Sequence, residues 1–149
     1  MTVTLRLYRG LPGSGKSTAA DGALLPKSRR SIAADDFFMR KGKYEFDPSK
    51  IAEAHAECQE RCKMLLSHGG EDVSVANTFT QRWELQPYLE MAECLGVRVV
   101  VLDLFDGGLS DEELAERNTH GVPVEAIAGM RARYEHCWRT GNPLPPWMR

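Results

Sequence analysis

Residues 10–18 read GLPGSGKST, and this stretch decides the fold. It matches in full the phosphate-binding loop pattern G-x-x-x-x-G-K-[ST], in which glycines let backbone N–H groups turn inward around a phosphate. The helix that follows points the positive end of its dipole at the same anion. We expect Lys16 to reach the β- and γ-phosphates of a nucleoside triphosphate and Ser17 to coordinate Mg²⁺. The predicted nucleotide-binding residues are Gly10, Pro12, Gly13, Ser14, Gly15, Lys16, Ser17 and Thr18.

Apolar stretches alternate with helical stretches along the chain. The apolar runs predict strands at 3–8, 31–34, 73–76 and 97–104. Helical spacing, caps and breakers predict helices at 17–25, 48–68, 83–95, 110–117 and 124–138. This order implies an α/β fold in which a parallel sheet of four or five strands carries helices on both faces. We therefore predict a single P-loop kinase domain over residues 1–149, with a helical lid over about 106–123.

The bulk composition excludes several classes of protein. A length of 149 residues suits one domain, and a formal net charge of -2 argues against broad coating of nucleic acid by a basic surface. We expect no signal peptide and no membrane partner, because no apolar run approaches the length of a span. The four cysteines form no C-x-x-C pair, so we expect free thiols rather than a zinc site. These features favour the cytoplasm, which would be a host cytoplasm if the chain is viral.

Two acids follow the second predicted strand, at the sheet edge that carries the phosphate loop. Ligands of parallel sheets bind beyond the carboxyl ends of the strands, so Asp35 and Asp36 are expected beside the nucleotide. A phosphoryl acceptor must lose a proton, and we predict that Asp35 is the general base. Asp36 could instead cap a helix or pair with an arginine. Asp103, at the end of the apolar run VVVLD, is an alternative acid on the magnesium side.

The lid segment, residues 106–123, carries a candidate for neutralising charge in the transition state. Phosphoryl transfer in this class of fold often uses an arginine from a helix that closes over the site. We predict that Arg117 has this role, although Glu113 and Arg117 could also be a solvated i,i+4 pair. Arg131 and Arg133 on the last helix are weaker candidates, and Arg131 is expected to be the one that faces inward.

Motifs along nearly the whole chain, from Arg9 to Glu135, resemble one family. They are RGLPGSGKST, ADDFF, GKYEFD, AHAEC, VANTFT, WELQPYLEMA, ERNTHGVP and RYE. Together they resemble the kinase-type domain of the Nedd4-binding-protein family, which is similar to the kinase domain of phage-type polynucleotide 5′-hydroxyl kinase. The combination is much more specific than the phosphate loop alone.

The resemblance implies transfer of the γ-phosphate of ATP to a hydroxyl group on a nucleic acid, DNA or RNA. By motif, Lys16 and Ser17 would hold phosphate and magnesium, Asp35 would be the general base, and Arg117 would be the lid arginine. Asn77 and Thr78 match the polar pair at the end of the third strand. The phage enzyme has an arginine three residues after its base, where this chain has Phe38. Arg40, two residues further on, could substitute for it.

Aromatic and basic residues are interleaved after the acid pair, between residues 37 and 46. Such a mixture can stack a nucleobase and hold a backbone phosphate, although some of these rings could simply be core. The acceptor could be a 5′-terminal hydroxyl or a hydroxymethylated pyrimidine flipped out of DNA, and a phenylalanine at position 38 would favour the base. The predicted acceptor-binding residues are Asp36, Phe38, Arg40, Tyr44, Asn77, Thr78 and Arg131.

Two other functions fit the same sequence. One is a small-molecule kinase acting on a nucleoside, a sugar or an antibiotic, which the fold allows and the net charge does not oppose. The other is a non-catalytic module in which ATP orders the lid for a protein partner. The presence of Lys16, Asp35 and Arg117 argues against this last alternative. The sequence does not decide the oligomeric state.

Overall fold

A computed structural model describes residues 3–22 and 30–149 of the chain. Its strands are β1 (Thr4–Gly10), β2 (Ser31–Ile32), β3 (Met39–Arg40), β4 (Lys43–Tyr44), β5 (Val73–Asn77) and β6 (Arg98–Phe105). Its α-helices are α1 (Lys16–Gly22), α2 (Ile51–His68), α3 (Arg82–Leu95), α4 (Asp111–Arg117) and α5 (Val124–Arg133). Within the described ranges, no helix has the length and apolar character needed to cross a bilayer.

The main sheet has the strand order β2-β5-β1-β6, and its neighbouring strands are parallel. β1 lies inside the sheet, where Leu7 pairs with Val75 of β5 on one side and with Val101 of β6 on the other. Parallel neighbours require crossover connections, and helices supply them here. The predicted α/β fold with a parallel sheet is confirmed, and the sheet has four strands.

Helices cover both faces of this sheet because side chains alternate along each strand. Leu5 and Leu7 of β1 are buried in the core cluster that also holds Cys62 of α2 and Leu85 of α3. Tyr8, which points to the opposite face, packs in a separate cluster with residues of α1, β5 and β6. A third cluster joins α4 and α5 to the phosphate loop through Leu11, Leu114 and Ile127.

The second predicted strand is shorter than expected. β2 ends at Ile32, and Asp35 and Asp36 lie on a 3₁₀ helix, Ala34–Phe38, rather than at a strand end. The backbone N–H of Ala34 donates to the Asn77 side chain at 2.8 Å, so a side chain takes the place of the next strand partner. The region beyond it, for which the sequence predicted no strand, contains the antiparallel hairpin β3-β4. Lys41 and Gly42 form its turn with positive φ angles of 51° and 78°.

The last helix also ends earlier than its predicted end at residue 138. α5 stops at Arg133, and Tyr134 leaves the helix with φ -65° and ψ 120°. The Tyr134 hydroxyl donates to Asp103 at 2.5 Å, and the Glu135 N–H donates to the Thr80 carbonyl at 2.7 Å. These tertiary partners replace another helical turn. α1 is described through Gly22, so its predicted end at residue 25 lies outside the described residues.

Arg9, immediately before the phosphate loop, has no solvent exposure. Its guanidinium donates to the Phe79 carbonyl at 2.9 Å, the Thr80 carbonyl at 3.2 Å, the Glu135 carbonyl at 2.8 Å and the Asp103 carboxylate at 3.1 Å. A buried charge is tolerated when it is paired and its donors are satisfied, as they are here. Arg9 thus links β1 to β6, to the segment after β5 and to the segment after α5.

Asp103 therefore has a structural partner set rather than the open position expected of a magnesium-side acid. One of its oxygens faces Arg9, while the other accepts from the Tyr134 hydroxyl and from the Phe105 N–H at 3.0 Å. These bonds occupy both carboxylate oxygens and argue against the alternative that gave Asp103 the magnesium.

We predict that Arg9→Met lowers the free energy of unfolding by about 3–5 kcal/mol, because it leaves the Phe79 and Glu135 carbonyls without a donor and Asp103 without its buried charge partner. Arg6→Met on the same strand is the matched control. Its partly exposed pair with Asp72, at 2.8 Å, should contribute about 1 kcal/mol or less. Urea unfolding of the two variants measures the difference, and equal losses would contradict the role assigned to Arg9.

Candidate nucleotide and acceptor site

The phosphate loop connects the end of β1 to the start of α1 and is held by the strands beside it. The Leu11 N–H donates to the Phe105 carbonyl at 2.8 Å, and the Gly10 N–H donates to the Thr78 carbonyl at 3.2 Å. Gly13 and Gly15 have φ angles of 84° and 94°, in the left-handed region that favours glycine. These angles allow the backbone N–H groups to face a phosphate, as the motif predicts.

The lid segment packs directly on this loop. A Cβ on Gly13 would lie 2.5 Å from the Leu114 carbonyl oxygen of α4, so only glycine permits this approach. A Cβ on Gly107 would lie 3.1 Å from the Ser14 carbonyl oxygen. The lid segment and the phosphate loop are therefore in backbone contact at two points. Pro12, immediately before these contacts, is buried, whereas Thr18 is exposed on α1.

Lys16 carries a cation with little compensation from the protein. Its ammonium contacts the Leu11 carbonyl at a long 3.4 Å. Burial lowers the pKa of Lys16 to about 8, and the nearby Asp35 carboxylate partly opposes this shift. A partly buried ammonium with one weak partner is suited to an anionic ligand that supplies the missing bonds.

The donor set at the loop fits a triphosphate with its magnesium ion. Inward-facing backbone N–H groups and the Lys16 ammonium suit phosphate oxygens, and the exposed hydroxyl of Ser17 suits the metal. The Ser14 hydroxyl is buried and has no hydrogen-bond partner among the described residues. Unpaired polar groups of this kind are uncommon inside proteins and are consistent with a site built to receive a polar ligand.

Asp35 is the acid that faces this site. Its side chain is 51% exposed, and its charge acts on Lys16. The Tyr44 hydroxyl donates to Asp35 Oδ1 at 3.0 Å, and burial together with this carboxylate raises the pKa of Tyr44, so the phenol stays protonated. Asp35 Oδ2 lies 3.6 Å from Nε2 of His120 in the lid segment. An accessible carboxylate whose charge acts on the lysine of the loop can accept a proton from an incoming hydroxyl.

Sequence reasoning did not identify His120, which the structure brings to this acid. The residue lies inside the ERNTHGVP motif, between the helices predicted over 110–117 and 124–138. His120 and Asp35 are far apart along the chain, so helix or strand periodicity could not predict that they lie close together. The presence of His120 within a recognised motif was the available clue.

Asp36 has a different role from the acceptor contact expected for it. Its carboxylate accepts from the Ala33 N–H at 2.9 Å and so closes the start of the 3₁₀ helix. Burial raises the pKa of Asp36, while the hydrogen bond from Ala33 and the charge of Arg61 oppose this shift. The capping alternative therefore agrees with the structure better than the acceptor contact does.

Three other residues that we expected to bind the acceptor instead stabilise the elements that carry the site. Phe38 is 4% exposed and belongs to the core, and Asn77 is 6% exposed. The Asn77 side chain holds the Ala34 N–H and so fixes the 3₁₀ helix that carries Asp35. Thr78 is half-buried, and its carbonyl accepts from Gly10. These contacts correct the expectation that Phe38 and Asn77 bind the acceptor, because burial removes both side chains from it.

Arg117 and Arg131, two of the arginines considered for the site, differ sharply. Arg131 donates to Asp106 and Asp111, both at 2.7 Å, and to the Leu109 carbonyl at 3.0 Å. It thereby anchors the start of the lid segment, which argues against the expected acceptor contact. Arg117 is exposed on the last turn of α4 and has no side-chain partner within residues 3–22 and 30–149. Its guanidinium is therefore available for a phosphate.

Arg40 and Tyr44 lie on the hairpin that follows the acids. Arg40 is exposed on β3, whereas Tyr44 is half-buried on β4 with its hydroxyl on Asp35. Phe46, just beyond the hairpin, is 52% exposed. This hairpin keeps the mixture of rings and positive charge that the sequence predicted beside the acid.

Comparison with known proteins assigns the family. A family model described as an AAA domain (AAA_33) matches residues 5–137. The chain belongs to this AAA-domain family. The same chain is 34% identical over 137 residues to NEDD4-binding protein 2 of Homo sapiens. That similarity covers 89% of the chain but 8% of the relative, so the chain spans less than a tenth of that protein's length.

Two solved structures share the fold of the AAA-domain chain. A chain in the structure of the Pnkp1/Rnl/Hen1 RNA repair complex has a TM-score of 0.67 and 21% identity, covering 89% of this chain and 44% of that one. A second Pnkp1/Rnl/Hen1 complex gives a TM-score of 0.60 and 23% identity, covering 78% and 39%. Together with the family match, these likenesses confirm the predicted resemblance to a P-loop kinase-type domain.

We predict that Gly13→Ala disrupts the contact between the phosphate loop and the lid segment. The new Cβ would meet the Leu114 carbonyl at 2.5 Å in addition to the strain of a positive φ angle. Gly42→Ala is the matched control, since its φ is 78° and nothing lies within 4 Å of its Cβ. The control should lose about 1–2 kcal/mol of stability, and Gly13→Ala should lose clearly more. Thermal unfolding measures both, and similar losses would contradict the close approach.

The pKa of Lys16 generates a pH prediction for the chain without nucleotide. Below pH 8 the folded and unfolded chains both carry this charge, so the cost of its burial is fully present. As the pH rises from 8 toward 10.5, the folded chain binds fewer protons than the unfolded chain and the cost is relieved. Lys16→Met should therefore stabilise the chain at pH 7 by on the order of 1–3 kcal/mol, and this gain should shrink by pH 10.

Urea unfolding at the two pH values tests this prediction, with Lys63→Met on the exposed face of α2 as the control. The control should show no comparable pH-dependent gain. The same Lys16→Met variant should lose affinity for ATP, which isothermal titration measures. A variant destabilised at pH 7 would contradict the proposed cost of burying Lys16.

Proposed function

We propose that the chain is an ATP-dependent kinase that transfers the γ-phosphate to a hydroxyl group on a nucleic acid. The observation that carries this proposal is the position of the open Asp35 carboxylate, which acts electrostatically on Lys16 of the phosphate loop. A lysine suited to the γ-phosphate and a base suited to a hydroxyl thus lie at one edge of the sheet. This pairing is what transfer requires and what simple nucleotide binding does not.

In the proposed transfer, the residues of the site account for the bond formed, the bond broken and the proton released. The acceptor oxygen bonds to the γ-phosphorus while the bond from that phosphorus to the β-γ bridging oxygen breaks, which leaves ADP. Asp35 takes the proton that the acceptor hydroxyl loses. Lys16 holds the transferring group, and Arg117 would approach it from the lid segment to offset developing charge. Magnesium held by Ser17 would neutralise phosphate charge when bound.

The hairpin favours a nucleic acid over a metabolite as the acceptor. Arg40, Lys41 and Lys43 are exposed on it, and Phe46 exposes about half of its surface. Exposed rings stack on bases, and exposed cations hold backbone phosphates. One of the solved structures that share the fold is an RNA repair complex, which also supports a nucleic acid as the acceptor.

A terminal hydroxyl is the acceptor that we favour within this class. The argument for a flipped, hydroxymethylated base depended on Phe38 lining the pocket, and Phe38 is buried in the core. Arg40 remains exposed near the acid and could hold the phosphate next to a terminal nucleoside. A hydroxymethylated base is retained as an outcome of the test.

The test is transfer of label from γ-labelled ATP with Mg²⁺ to matched substrates. They are 5′-hydroxyl DNA and RNA oligonucleotides, the same oligonucleotides with a 5′-phosphate, a hydroxymethylpyrimidine duplex, and a panel of nucleosides, sugars and aminoglycosides. We expect label on the 5′-hydroxyl oligonucleotides and none on their 5′-phosphorylated forms. Label on a metabolite alone would overturn the proposal, and absence of transfer to any acceptor would favour a non-catalytic module.

Asp35→Asn should lower the rate of transfer by about 10²-fold or more while leaving ATP affinity nearly unchanged, because it removes the proton acceptor but not the phosphate loop. Asp36→Asn is the matched control. It alters the adjacent carboxylate, which caps the 3₁₀ helix, and should stay within a few-fold of the parent rate. Single-turnover transfer and ATP titration measure the two effects. A similar loss in both variants would mean that Asp35 acts only through the local fold.

A further inference from the structure

The turn that ends the lid segment is fixed by one side chain. Asn118 Oδ1 accepts from the N–H groups of His120 at 3.2 Å and Val122 at 2.9 Å, while its amide donates to the Val122 carbonyl at 3.1 Å. The same amide donates to the Ala115 carbonyl of α4 at 2.9 Å. The backbone of His120 is therefore held in a defined position relative to α4, and its ring is directed by that turn.

The His120 ring contacts the hairpin, and its side chain is 33% exposed. Its centroid lies 4.0 Å from that of Tyr44, with the two planes 34° apart. Its Nε2 lies 3.6 Å from Asp35 Oδ2, and its Nδ1 is buried without a hydrogen-bond partner in the described part of the chain. A buried nitrogen without a hydrogen-bond partner, such as Nδ1 of His120, destabilises the fold. Hydrogen bonding alone therefore does not explain why the His120 ring lies here.

The two oxygens of Asp35 thereby have different surroundings. Oδ1 accepts from the Tyr44 hydroxyl at 3.0 Å, whereas Oδ2 accepts no hydrogen bond from residues 3–22 and 30–149. The separation of 3.6 Å between Oδ2 and His120 exceeds hydrogen-bond length and leaves this oxygen able to take another donor. An acceptor hydroxyl bound to Oδ2 would lie against the His120 imidazole.

We propose that His120 is a positioning residue, which closes the lid segment onto the hairpin through Tyr44 and holds Asp35 Oδ2 toward the acceptor hydroxyl. The inference rests on the proposed function insofar as Asp35 is the base. The ring and the nitrogen have separable tasks. The ring packs on Tyr44, while Nε2, at 3.6 Å from Oδ2, limits the movement of the carboxylate that Tyr44 bonds from the other side.

Substitutions at His120 separate these tasks. His120→Phe keeps a ring on Tyr44 and removes the nitrogen, whereas His120→Ala removes both. His55→Ala on α2 is the matched control, because the His55 side chain makes no hydrogen bond or ion pair within residues 3–22 and 30–149. The first measurement is amide hydrogen exchange of residues 111–123 with a non-hydrolysable ATP analogue, which needs no acceptor. The second is steady-state transfer with the acceptor that takes label in the assay above, nucleic acid or metabolite.

We expect His120→Ala to lose the protection that the ATP analogue gives to residues 111–123 and to raise the acceptor KM by about tenfold or more. His120→Phe should keep that protection and the acceptor KM but lower kcat by about tenfold, because the carboxylate loses its restraint. The affinity for ATP and the melting temperature should stay close to those of the parent in His120→Phe.

Unchanged protection in His120→Ala, or transfer by His120→Phe at the parent rate, would overturn the inference. A fall in melting temperature with kcat and KM unchanged would assign His120 a merely structural role and would also overturn it. If no acceptor is labelled by the parent chain, the proposed function fails, and the exchange measurement alone decides whether His120 closes the lid segment.

Discussion

The buried guanidinium of Arg9 joins the parts of the molecule that the phosphate loop needs. It lies one residue before the loop and reaches β6, the segment after β5 and the segment after α5 through four hydrogen bonds. The Tyr134 ring covers it at 4.1 Å, and the Tyr134 hydroxyl returns to the same Asp103. These contacts fix the direction in which β1 enters the loop relative to β6 and to the segments after β5 and α5.

In the phosphate loop, stability and binding oppose each other at Lys16. Burial without a strong partner is unfavourable for an ammonium, and it lowers the pKa of Lys16 to about 8. The same lack of partners gives a bound phosphate the full benefit of the charge, since few protein bonds must be broken first. The fold tolerates this cost because the network around Arg9 and the three apolar clusters lie close to the loop but do not depend on Lys16.

The acceptor side is built differently, from an acid held between aromatic rings. Tyr44 fixes one oxygen of Asp35, and His120 flanks the other from the lid segment. The residue that distinguishes this chain from the phage-type pattern, Phe38, lies in the core and packs on Phe46 and Tyr44 at centroid distances of 5.1 and 6.0 Å. The substitution thus supports the hairpin from inside instead of contacting the acceptor.

The α/β class, the phosphate loop and most of the helices could be predicted from the sequence, because these follow from local periodicity and from a contiguous motif. Predicted ends failed where a distant partner took over the backbone. Asn77 takes the Ala34 N–H and shortens β2, and Thr80 takes the Glu135 N–H just beyond the end of α5. Local sequence contains no signal for such bonds, which join residues tens of positions apart.

The tertiary structure also decided which polar residues face the site. Asp35 and Asp36 are adjacent and chemically alike, yet one is open beside Lys16 and the other caps its own 3₁₀ helix. Arg117 was predicted as the lid arginine and Arg131 as a weaker alternative and an acceptor-binding residue, but three bonds at the base of the lid segment occupy Arg131. His120 reached Asp35 only through the packing of the lid segment on the hairpin. Motif and periodicity therefore determined where the site lies, whereas the directions and partners of its side chains depended on contacts that exist only after the chain has folded.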